Sequence, residues 1–306
     1  MRHIIQTKSL MGYRETINKT ISELSKADDL KGIFQKSLPE YLMPNGERIK
    51  EIISLSRALL FPGFYGKTIA DTSSLSYYIG VDADKLFSLL SEQIEAGLSF
   101  QKTQDNSKRE DLKKQASHLA SCLIEKLPSI RKILLTDVEA AYSGDPAAES
   151  YYEVIYCYPI IKALSVYRVA HELLRMNVPL IPRIMTEIAH SETGIDIHPG
   201  AQIGTYFTID HGTGVVIGAT CIIGDHVKLY QGVTLGARSF PLDENGNPIK
   251  HIPRHPIIGN NVIVYSNSTI LGRICIGDGA TIGGNVWLTH DVPAGETVHQ
   301  TPCTQE

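Results

Sequence analysis

A six-residue repeat of aliphatic side chains dominates the C-terminal third of the chain. The aliphatic residues that follow one another at this interval without a break are Ile258, Val264, Ile270, Ile276, Ile282 and Leu288. A six-residue period suits a coil with three flat faces, in which each face is a short strand with one inward aliphatic side chain. The pattern therefore predicts a parallel β-helix whose coils bury their faces against one another.

The repeat starts earlier in the chain and is interrupted twice. The run from Ile217 to Leu235 keeps the interval of six, but the set from Ile197 to Val215 is offset by two residues, so the frame slips near His211. Between residues 237 and 256 the repeat stops in a polar, proline-rich stretch. A solenoid does not need such a loop for stability, and long loops in compact domains are usually functional or disordered. We expect a functional loop.

The first part of the chain has a different period. Apolar residues at three- and four-residue spacing predict helices over residues 1–190, with breaks expected at the prolines 39, 44, 62, 128 and 146. The polar residues 101–117 predict an exposed helix or a connector. The expected organisation is an α+β chain: an all-helical domain over 1–190 for packing and oligomerisation, a β-helix over 191–293 with the loop 237–256, and a short tail over 294–306.

Composition excludes several classes of protein. The 306 residues are 42% hydrophobic and 20% charged, with a formal net charge of −4, which is ordinary for a soluble protein and unlike a strongly basic nucleic-acid binder. The N-terminus lacks the apolar run of a signal peptide, and no stretch has the length of a membrane helix. The five cysteines form no CxxC pair, which favours a reducing cytoplasm over a disulfide framework or a thiolate zinc site.

His211 is the leading candidate for catalysis. The later repeat frame places it at an inward aliphatic position, beside Gly212 and Gly214, which allow close approach of other groups. A neutral imidazole is a natural general base near neutral pH. Asp196 lies 15 residues earlier, so a coil of about 18 residues would return it close to His211 as an orienting partner. The alternative from spacing alone is a buried structural histidine with a hydrogen-bonded aspartate.

Charged residues near these positions could bind an amino acid. Arg254 offers a guanidinium fork for a carboxylate, and Asp145 and Asp210 could hold an ammonium group. From composition alone, each of the three is more often a solvated surface charge. The sequence contains no phosphate-binding loop, dinucleotide fingerprint, HExxH motif or GxSxG elbow, so an acyl-enzyme is unsupported and direct attack on a thioester is the simpler chemistry.

Five segments together resemble the serine O-acetyltransferases of the hexapeptide-repeat superfamily. They are GDPAA (144–148), ALSVYRVAHELL (163–174), TGIDIHPGAQIG (193–204), TIDHGTGVVIGATCIIGDHVKLYQGVTLGA (208–237) and RHPIIGNNV (254–262). The resemblance covers about residues 135–293. The hexapeptide repeat alone is shared with many acyltransferases, whereas GDPAA, DIHP, DHGTG and RHP together are specific. The resemblance implies a left-handed β-helix and transfer of acetyl from acetyl-CoA to the hydroxyl of L-serine, without a metal.

The resemblance also implies roles in the amino-acid site. His211 matches the general base and Asp196 the carboxylate that orients it. Asp145 and Asp210 match the residues that hold the ammonium group. Arg254 and His255 together match the pair of residues that binds the carboxylate of the amino acid.

The remaining implications concern acetyl-CoA, inhibition and assembly. Ala237, Ser266 and Gly284 match positions that contact acetyl-CoA in a groove between subunits, largely through backbone groups. The family implies feedback inhibition by L-cysteine in the same site, and a homotrimer or a dimer of trimers. The loop before Arg254 is longer than in enterobacterial relatives. The chain ends in Glu306, whereas many relatives end in an isoleucine that docks into O-acetylserine sulfhydrylase, so no tight complex with that enzyme is expected.

Three alternatives remain at this point. A hexapeptide acetyltransferase could act on another hydroxyl or amine, such as a sugar, although such enzymes usually lack so large a helical domain. A γ-type carbonic anhydrase would use three histidines on zinc, with His211, His226 and His255 as candidates. A non-catalytic scaffold would leave the pairing of Asp196 with His211 unexplained.

Overall fold

The computed structural model describes residues 2–26, 43–67, 71–101 and 109–300. The described residues form seven helices followed by fourteen short strands. The helices are α1 (Arg2–Leu24), α2 (Gly46–Leu60), α3 (Thr72–Gln101), α4 (Arg109–Gly144), α5 (Tyr151–Cys157), α6 (Pro159–Arg175) and α7 (Ile181–Thr193). The predicted helical region is confirmed. Of the polar stretch 101–117, residues 109–117 are helical and 102–108 lie outside the described residues, as do Pro39 and residues 301–306.

Local signals set several helix ends. The Asn45 side chain caps α2 by accepting hydrogen bonds from the first-turn N–H groups, and Pro159 occupies the first turn of α6, where its missing N–H costs nothing. Gly194 ends α7 in the left-handed conformation. The break expected at Pro128 is wrong, because this proline lies inside α4. Leu127 and Ile130 on either side of it are buried, and their packing keeps the helix continuous through the proline.

The strands form three parallel sheets around a triangular prism. They are β1 (Asp196–Ile197), β2 (Gln202–Ile203), β3 (Thr208–Asp210), β4 (Val216–Ile217), β5 (Ile222–Ile223), β6 (Lys228–Tyr230), β7 (Thr234–Gly236), β8 (Ile257–Ile258), β9 (Ile263–Val264), β10 (Thr269–Leu271), β11 (Cys275–Ile276), β12 (Thr281–Ile282), β13 (Trp287–Leu288) and β14 (Thr297–Val298). Sheet A has the order β1-β4-β7-β10-β13, sheet B β11-β8-β5-β2 and sheet C β14-β12-β9-β6-β3. The chain visits the three sheets in turn, and the predicted left-handed β-helix of hexapeptide repeats is confirmed.

The strand register locates both interruptions of the repeat. Asp196 pairs with Val216, 20 residues later, whereas Val216 pairs with Thr234, 18 residues later. The first coil therefore contains two extra residues, which lie in the turn after β3. Thr234 pairs with Thr269, 35 residues later, because the loop 237–256 leaves the coil. In that loop Leu242 and Pro248 form an antiparallel bridge, so its tip is a hairpin.

The inward positions of the repeat form the core of the β-helix. The six aliphatic residues from Ile258 to Leu288 that define the period are all buried, with exposed fractions of 2% or less. Ser268 takes one of the halfway positions, and its buried hydroxyl donates to Gly283 O at 2.5 Å. Each coil thus buries aliphatic surface on the next, which is the main source of stability in a solenoid.

A buried ion pair joins the helical region to the first coil. The Arg168 guanidinium donates to both carboxylate oxygens of Asp137, at 2.7 and 2.9 Å, and also to the carbonyl oxygens of Ile203 and Gly204. The backbone N–H of Phe207 donates to Asp137 at 3.2 Å. Burial raises the pKa of the Asp137 carboxyl, and the guanidinium and this N–H oppose that rise. These bonds fix α4 and α6 against the β-helix.

The β-helix extends beyond residue 293, where the sequence predicted its end. Thr297–Val298, within the predicted tail, pairs with β12 and so extends sheet C. None of the helices in the described part of the chain combines the length and the apolar character that a membrane span requires.

Candidate active site

Each coil has three corners, and the stacked corners form three edges of the prism. We call the corners that join sheet C to sheet A the His211 edge; they comprise residues 211–215, 231–233, 265–268 and 283–286. We call the corners that join sheet A to sheet B the Arg254 edge; they comprise residues 198–201, 218–221, 237–256 and 272–274. The third edge joins sheet B to sheet C. The candidate residues divide between the first two edges.

His211 lies in the turn that contains the two extra residues. Its backbone is left-handed, with φ 57°, and Gly212 and Gly214 follow with φ 89° and 79°. A Cβ on Gly212 would lie 2.5 Å from Ile195 Cδ1, so only glycine fits there. The expectation that His211 takes an inward position is wrong, because its side chain is 75% exposed. The two added residues loop out at the corner and carry the imidazole away from the core.

Asp196 lies beside the same turn but does not hydrogen-bond to His211. Asp196 begins β1, and its backbone N–H donates to Val215 O at 2.9 Å, directly beyond the turn. Among the described residues, the His211 ring makes an ion-pair contact with Asp210, whose Oδ1 lies 3.8 Å from Nε2. Asp196 therefore lies next to the His211 edge, and its direct pairing with His211 stays a prediction.

Asp145 and Asp210 line one shallow depression where the end of α4 meets sheet C. Oδ1 of Asp145 accepts the Ala147 N–H at 2.8 Å, and Oδ2 accepts the Tyr158 hydroxyl at 2.5 Å. Both hydrogen bonds lower the pKa of the Asp145 carboxyl, and the bond from Tyr158 has the larger effect. The same bond raises the pKa of Tyr158 to about 12. Asp145 is consequently an anion, and Tyr158 a neutral donor, at neutral pH.

Lys228 is a charged neighbour of these carboxylates that the sequence analysis missed. Its ammonium donates to Gly144 O at 2.7 Å and lies 3.2 Å from Asp210 Oδ2. Burial lowers the pKa of Lys228, but Tyr230 and Asp210 more than offset this and the net pKa is raised. Lys228 is therefore charged, and it ties the end of α4 to Asp210. The only sign of this role in the sequence is that the lysine stands between two aliphatic residues.

Arg254 and His255 lie on the other edge, where the chain returns to the coil after the hairpin loop. Both backbone N–H groups donate to the Thr220 hydroxyl, at 2.9 and 3.2 Å respectively. Nε of Arg254 is buried and has no hydrogen-bond partner among the described residues, and its guanidinium lies 5.7 Å from the Phe240 ring centroid. Because buried polar groups generally find partners, an unpaired guanidinium N–H marks Arg254 as a candidate for binding an anion.

His255 is buried and held in one orientation. Its Nδ1 accepts the Thr220 N–H at 3.1 Å. Burial, followed by the positive charges of Arg254 and Arg273, lowers the pKa of His255 to about 4. A neutral ring that accepts at Nδ1 carries its proton on Nε2. His255 can therefore donate a hydrogen bond from Nε2 without carrying a charge.

The positions expected to contact acetyl-CoA also divide between the two edges. Ser266 and Gly284 stack on the His211 edge, where the Asn285 N–H donates to Ser266 O at 2.9 Å. A Cβ added to Gly284 would lie 3.4 Å from Ser266 O. Ala237 directly follows β7 and lies on the Arg254 edge. A ligand that contacts all three must reach two edges.

The three histidines considered for zinc lie on three different edges of one chain. His211 and His255 occupy the two edges named above, and His226 lies between β5 and β6 on the third edge, where its ring stacks on Tyr206. Over residues 2–26, 43–67, 71–101 and 109–300, no group of three or more histidine, cysteine, aspartate or glutamate side chains is arranged to hold a metal ion.

The chain is similar to known proteins over most of its length. Residues 255–290 match the family described as bacterial transferase hexapeptide (six repeats). The plasmid serine acetyltransferase of Synechococcus elongatus is 49% identical over 263 residues, which cover 85% of this chain and 82% of that protein. The serine acetyltransferase of Bacillus subtilis is 41% identical over 167 residues, which cover 55% of this chain and 73% of that protein.

Solved structures give the same result. Serine acetyltransferase 1 of Entamoeba histolytica in complex with L-cysteine has a TM-score of 0.72 and 38% identity, with 82% of this chain and 86% of that chain covered. Soybean serine acetyltransferase complexed with serine has a TM-score of 0.53 and 27% identity, with 84% and 96% covered. The identity over more than two thirds of both chains, together with the shared fold, shows that this chain belongs to the serine acetyltransferases, a family of acyltransferase enzymes.

Proposed function

We propose that this enzyme transfers the acetyl group of acetyl-CoA to the side-chain hydroxyl of L-serine, giving O-acetyl-L-serine and CoA. The observation that carries the proposal is a matched pair of charged sites on two edges of the prism. Asp145 and Asp210 offer negative charge on one edge, and Arg254 with the Nε2–H of His255 offers donors on the other. A zwitterionic amino acid presents the complementary ammonium and carboxylate groups. The relatives solved with serine and with L-cysteine support this choice of ligand.

The chemistry is direct transfer with His211 as general base. A neutral imidazole takes the proton of the serine hydroxyl as its oxygen attacks the thioester carbonyl carbon, and a tetrahedral intermediate forms. When the intermediate collapses, the carbon–sulfur bond breaks and the CoA thiolate takes the proton from the imidazolium. Asp196 orients the ring and supports its charged form. The exposed corner position of His211 allows both substrates to reach it.

The active site is built from two copies of the chain. The His211 edge of one copy carries the base, Asp210 and the neighbouring Asp145, and the Arg254 edge of the next copy supplies the carboxylate donors. Acetyl-CoA lies in the groove between these edges, beside Ser266 and Gly284 of one copy and Ala237 of the other. A closed threefold ring makes three equivalent grooves, so we propose a trimer, which the helical regions could pair into a dimer of trimers.

L-Cysteine is the proposed feedback inhibitor in the same site. It has the same ammonium and carboxylate groups as serine and a thiol in place of the hydroxyl. The same residues would therefore bind both molecules, and inhibition would be competitive with serine. The relative solved in complex with L-cysteine supports this assignment.

The test of the reaction is thiol release from acetyl-CoA with a panel of acceptors. We expect release with L-serine, and mass spectrometry should identify O-acetyl-L-serine. L-Threonine, L-homoserine, D-serine and hexose sugars serve as controls for side-chain size, chirality and acceptor class. Faster release with a sugar than with serine would overturn the proposal in favour of a sugar acetyltransferase.

The two-copy site is tested by mixing inactive variants. His211→Asn and Arg254→Ala are each expected to have little activity. If the two residues act from different copies, refolding an equal mixture of the variants should restore activity at about a quarter of the sites. The absence of any recovery, with mixed trimers present by mass, would mean that both residues act within one chain.

A further inference from the structure

One side-chain hydroxyl contacts both residues of the carboxylate site. Thr220, in the corner between β4 and β5, accepts the Arg254 and His255 backbone N–H groups at 2.9 and 3.2 Å. The same oxygen lies 2.8 Å from Nδ1 of His255. The Thr220 N–H lies 3.1 Å from that nitrogen. Two residues that are 34 and 35 positions away in sequence are thus anchored to one hydroxyl.

The donors and acceptors in this cluster leave a single arrangement of protons. The Thr220 N–H can only donate, so Nδ1 of His255 must accept. The Thr220 hydroxyl already accepts from two backbone N–H groups, so its own proton is free to go to Nδ1. Nδ1 then has no proton of its own, and a neutral ring must carry its proton on Nε2.

We propose that Thr220 is a positioning residue that holds Arg254 and His255 for carboxylate binding and fixes His255 as an Nε2–H donor. The inference rests on the proposed function, since it concerns the carboxylate of the amino-acid substrate and of L-cysteine. It assigns a role to a residue outside the set expected to contact the substrates.

Arg273, in the coil that follows His255, also holds Thr220 and His255 in place. Its guanidinium donates to the carbonyl oxygens of Thr220 and His255, at 2.6 and 3.0 Å. The neighbouring His198 is influenced by Arg254 and His255, and by Arg183 and Glu187 of α7. The charged groups that act on the His255 ring are Arg254 and Arg273. Both cations favour the neutral ring, and burial acts in the same direction, so the donor state of His255 persists across neutral and mildly acidic pH.

The corner has room for this ring only because Gly218 has no side chain. A Cβ at Gly218 would lie 2.0 Å from Cδ2 of His255 and 2.3 Å from its Nε2. The imidazole therefore packs closely against the backbone at Gly218. Thr220 sets the ring orientation through Nδ1, and Gly218 supplies the space.

The experiment compares Thr220→Val, which keeps the shape and removes the hydroxyl, with Thr220→Ser, which keeps the hydroxyl. Thr220→Val should raise the KM for serine by roughly 10- to 100-fold, because three hydrogen bonds of the site are lost. It should weaken L-cysteine inhibition by a similar factor, and change kcat at saturating serine and the KM for acetyl-CoA by less than about threefold. Thr220→Ser should stay within about threefold of the parent enzyme in all four quantities.

A matched control is available on the third edge. Thr205 also uses its hydroxyl in a corner, where it donates to Asp225 Oδ1 at 2.9 Å. Thr205→Val makes the same chemical change away from Arg254 and His255. We expect its KM for serine to equal that of the parent enzyme, and a rise as large as that of Thr220→Val would overturn the proposal.

The protonation of the ring is measured directly by solid-state ¹⁵N NMR of enzyme labelled at histidine. His255→Gln identifies the signal of His255 by its disappearance. In the parent enzyme we expect a neutral ring protonated at Nε2 from about pH 6 to 9. In Thr220→Val the backbone N–H still donates to Nδ1 but the hydroxyl donor is gone, so we expect the Nδ1 signal of His255 to shift. An unchanged His255 signal in Thr220→Val, or an unchanged KM for serine, would overturn the proposal.

These measurements separate the inference from the proposed function. If the parent enzyme does not acetylate serine, the proposed function fails, while the NMR signal still decides whether Thr220 fixes the ring. Thr220→Ala serves as a second variant without the hydroxyl. If Thr220→Val and Thr220→Ala both fail to fold while Thr220→Ser folds, the hydroxyl serves the fold of the corner and the proposed role is wrong.

Discussion

The hydroxyl of Tyr158 donates a 2.5 Å hydrogen bond to Oδ2 of Asp145, and this bond is the largest cause of the lowered pKa of that carboxyl. Tyr158 lies directly before α6, and Asp145 directly follows α4. The bond therefore joins two helices at the depression that also contains Asp210.

Tyr158→Phe tests whether this bond prepares Asp145 for an ammonium group. The variant should raise the KM for serine by about 3- to 30-fold with a smaller change in kcat, because a hydrogen bond to a charged group is lost. Tyr156→Phe is the control, since Tyr156 is exposed and lies outside the depression. Equal serine KM values for the two variants would contradict the role of Tyr158.

His211→Asn tests the general base. Asparagine tolerates the left-handed backbone of this turn, and kcat should fall by about 10²- to 10⁴-fold. His226→Asn is a matched control, because His226 is also exposed and has φ 56° against 57° for His211. Near-normal turnover in a folded His211→Asn variant would exclude this histidine as the base.

Asp196→Asn tests the partner of the base. If Asp196 orients the His211 ring in the assembled enzyme, kcat should fall, and the double variant with His211→Asn should be no slower than His211→Asn alone, since residues that act as a unit are not additive. The measurement is kcat for the parent, both single variants and the double variant. Fully additive losses would mean that the base has another partner.

Arg254→Lys tests the carboxylate site without removing the positive charge. Lysine lacks the fork that binds a carboxylate through two N–H groups. The KM for serine and the inhibition constant for L-cysteine should therefore rise together. Lys250→Ala removes an exposed charge from the same loop and should change neither. A change in only one of the two constants for Arg254→Lys would show that serine and cysteine use different sites.

Arg168→Met tests the connection between the helices and the β-helix. It leaves Asp137, which is fully buried, without its partner, and should lower the free energy of unfolding by about 3–5 kcal/mol. Adding Asp137→Leu should recover part of this loss, because the unpaired charge is removed as well. Denaturant titration is the measurement, and Lys114→Met, which breaks an exposed pair with Glu110, is the control. A loss no larger than that of the control would contradict the role of the buried pair.

The repeat in the sequence was sufficient to predict the β-helix. Residues such as Ile258 and Ile276 are buried because each coil has one inward position per face, and that constraint appears in the sequence as an interval of six. The slip of the frame near His211 was visible for the same reason, and the strand register places two extra residues in that turn. The candidate residues themselves were found by residue type and by resemblance to a family.

Only the tertiary structure decided how those residues are arranged. An insertion of two residues can be absorbed inside a coil or looped out at a corner. The structure shows the second arrangement, so His211 is exposed rather than buried. The contacts of Lys228 with Asp210 and of Thr220 with His255 join residues on different coils or elements, and no local period records them. The division of the candidate residues between the His211 edge and the Arg254 edge follows from the order in which the chain visits three sheets. It became visible only when the coils were stacked.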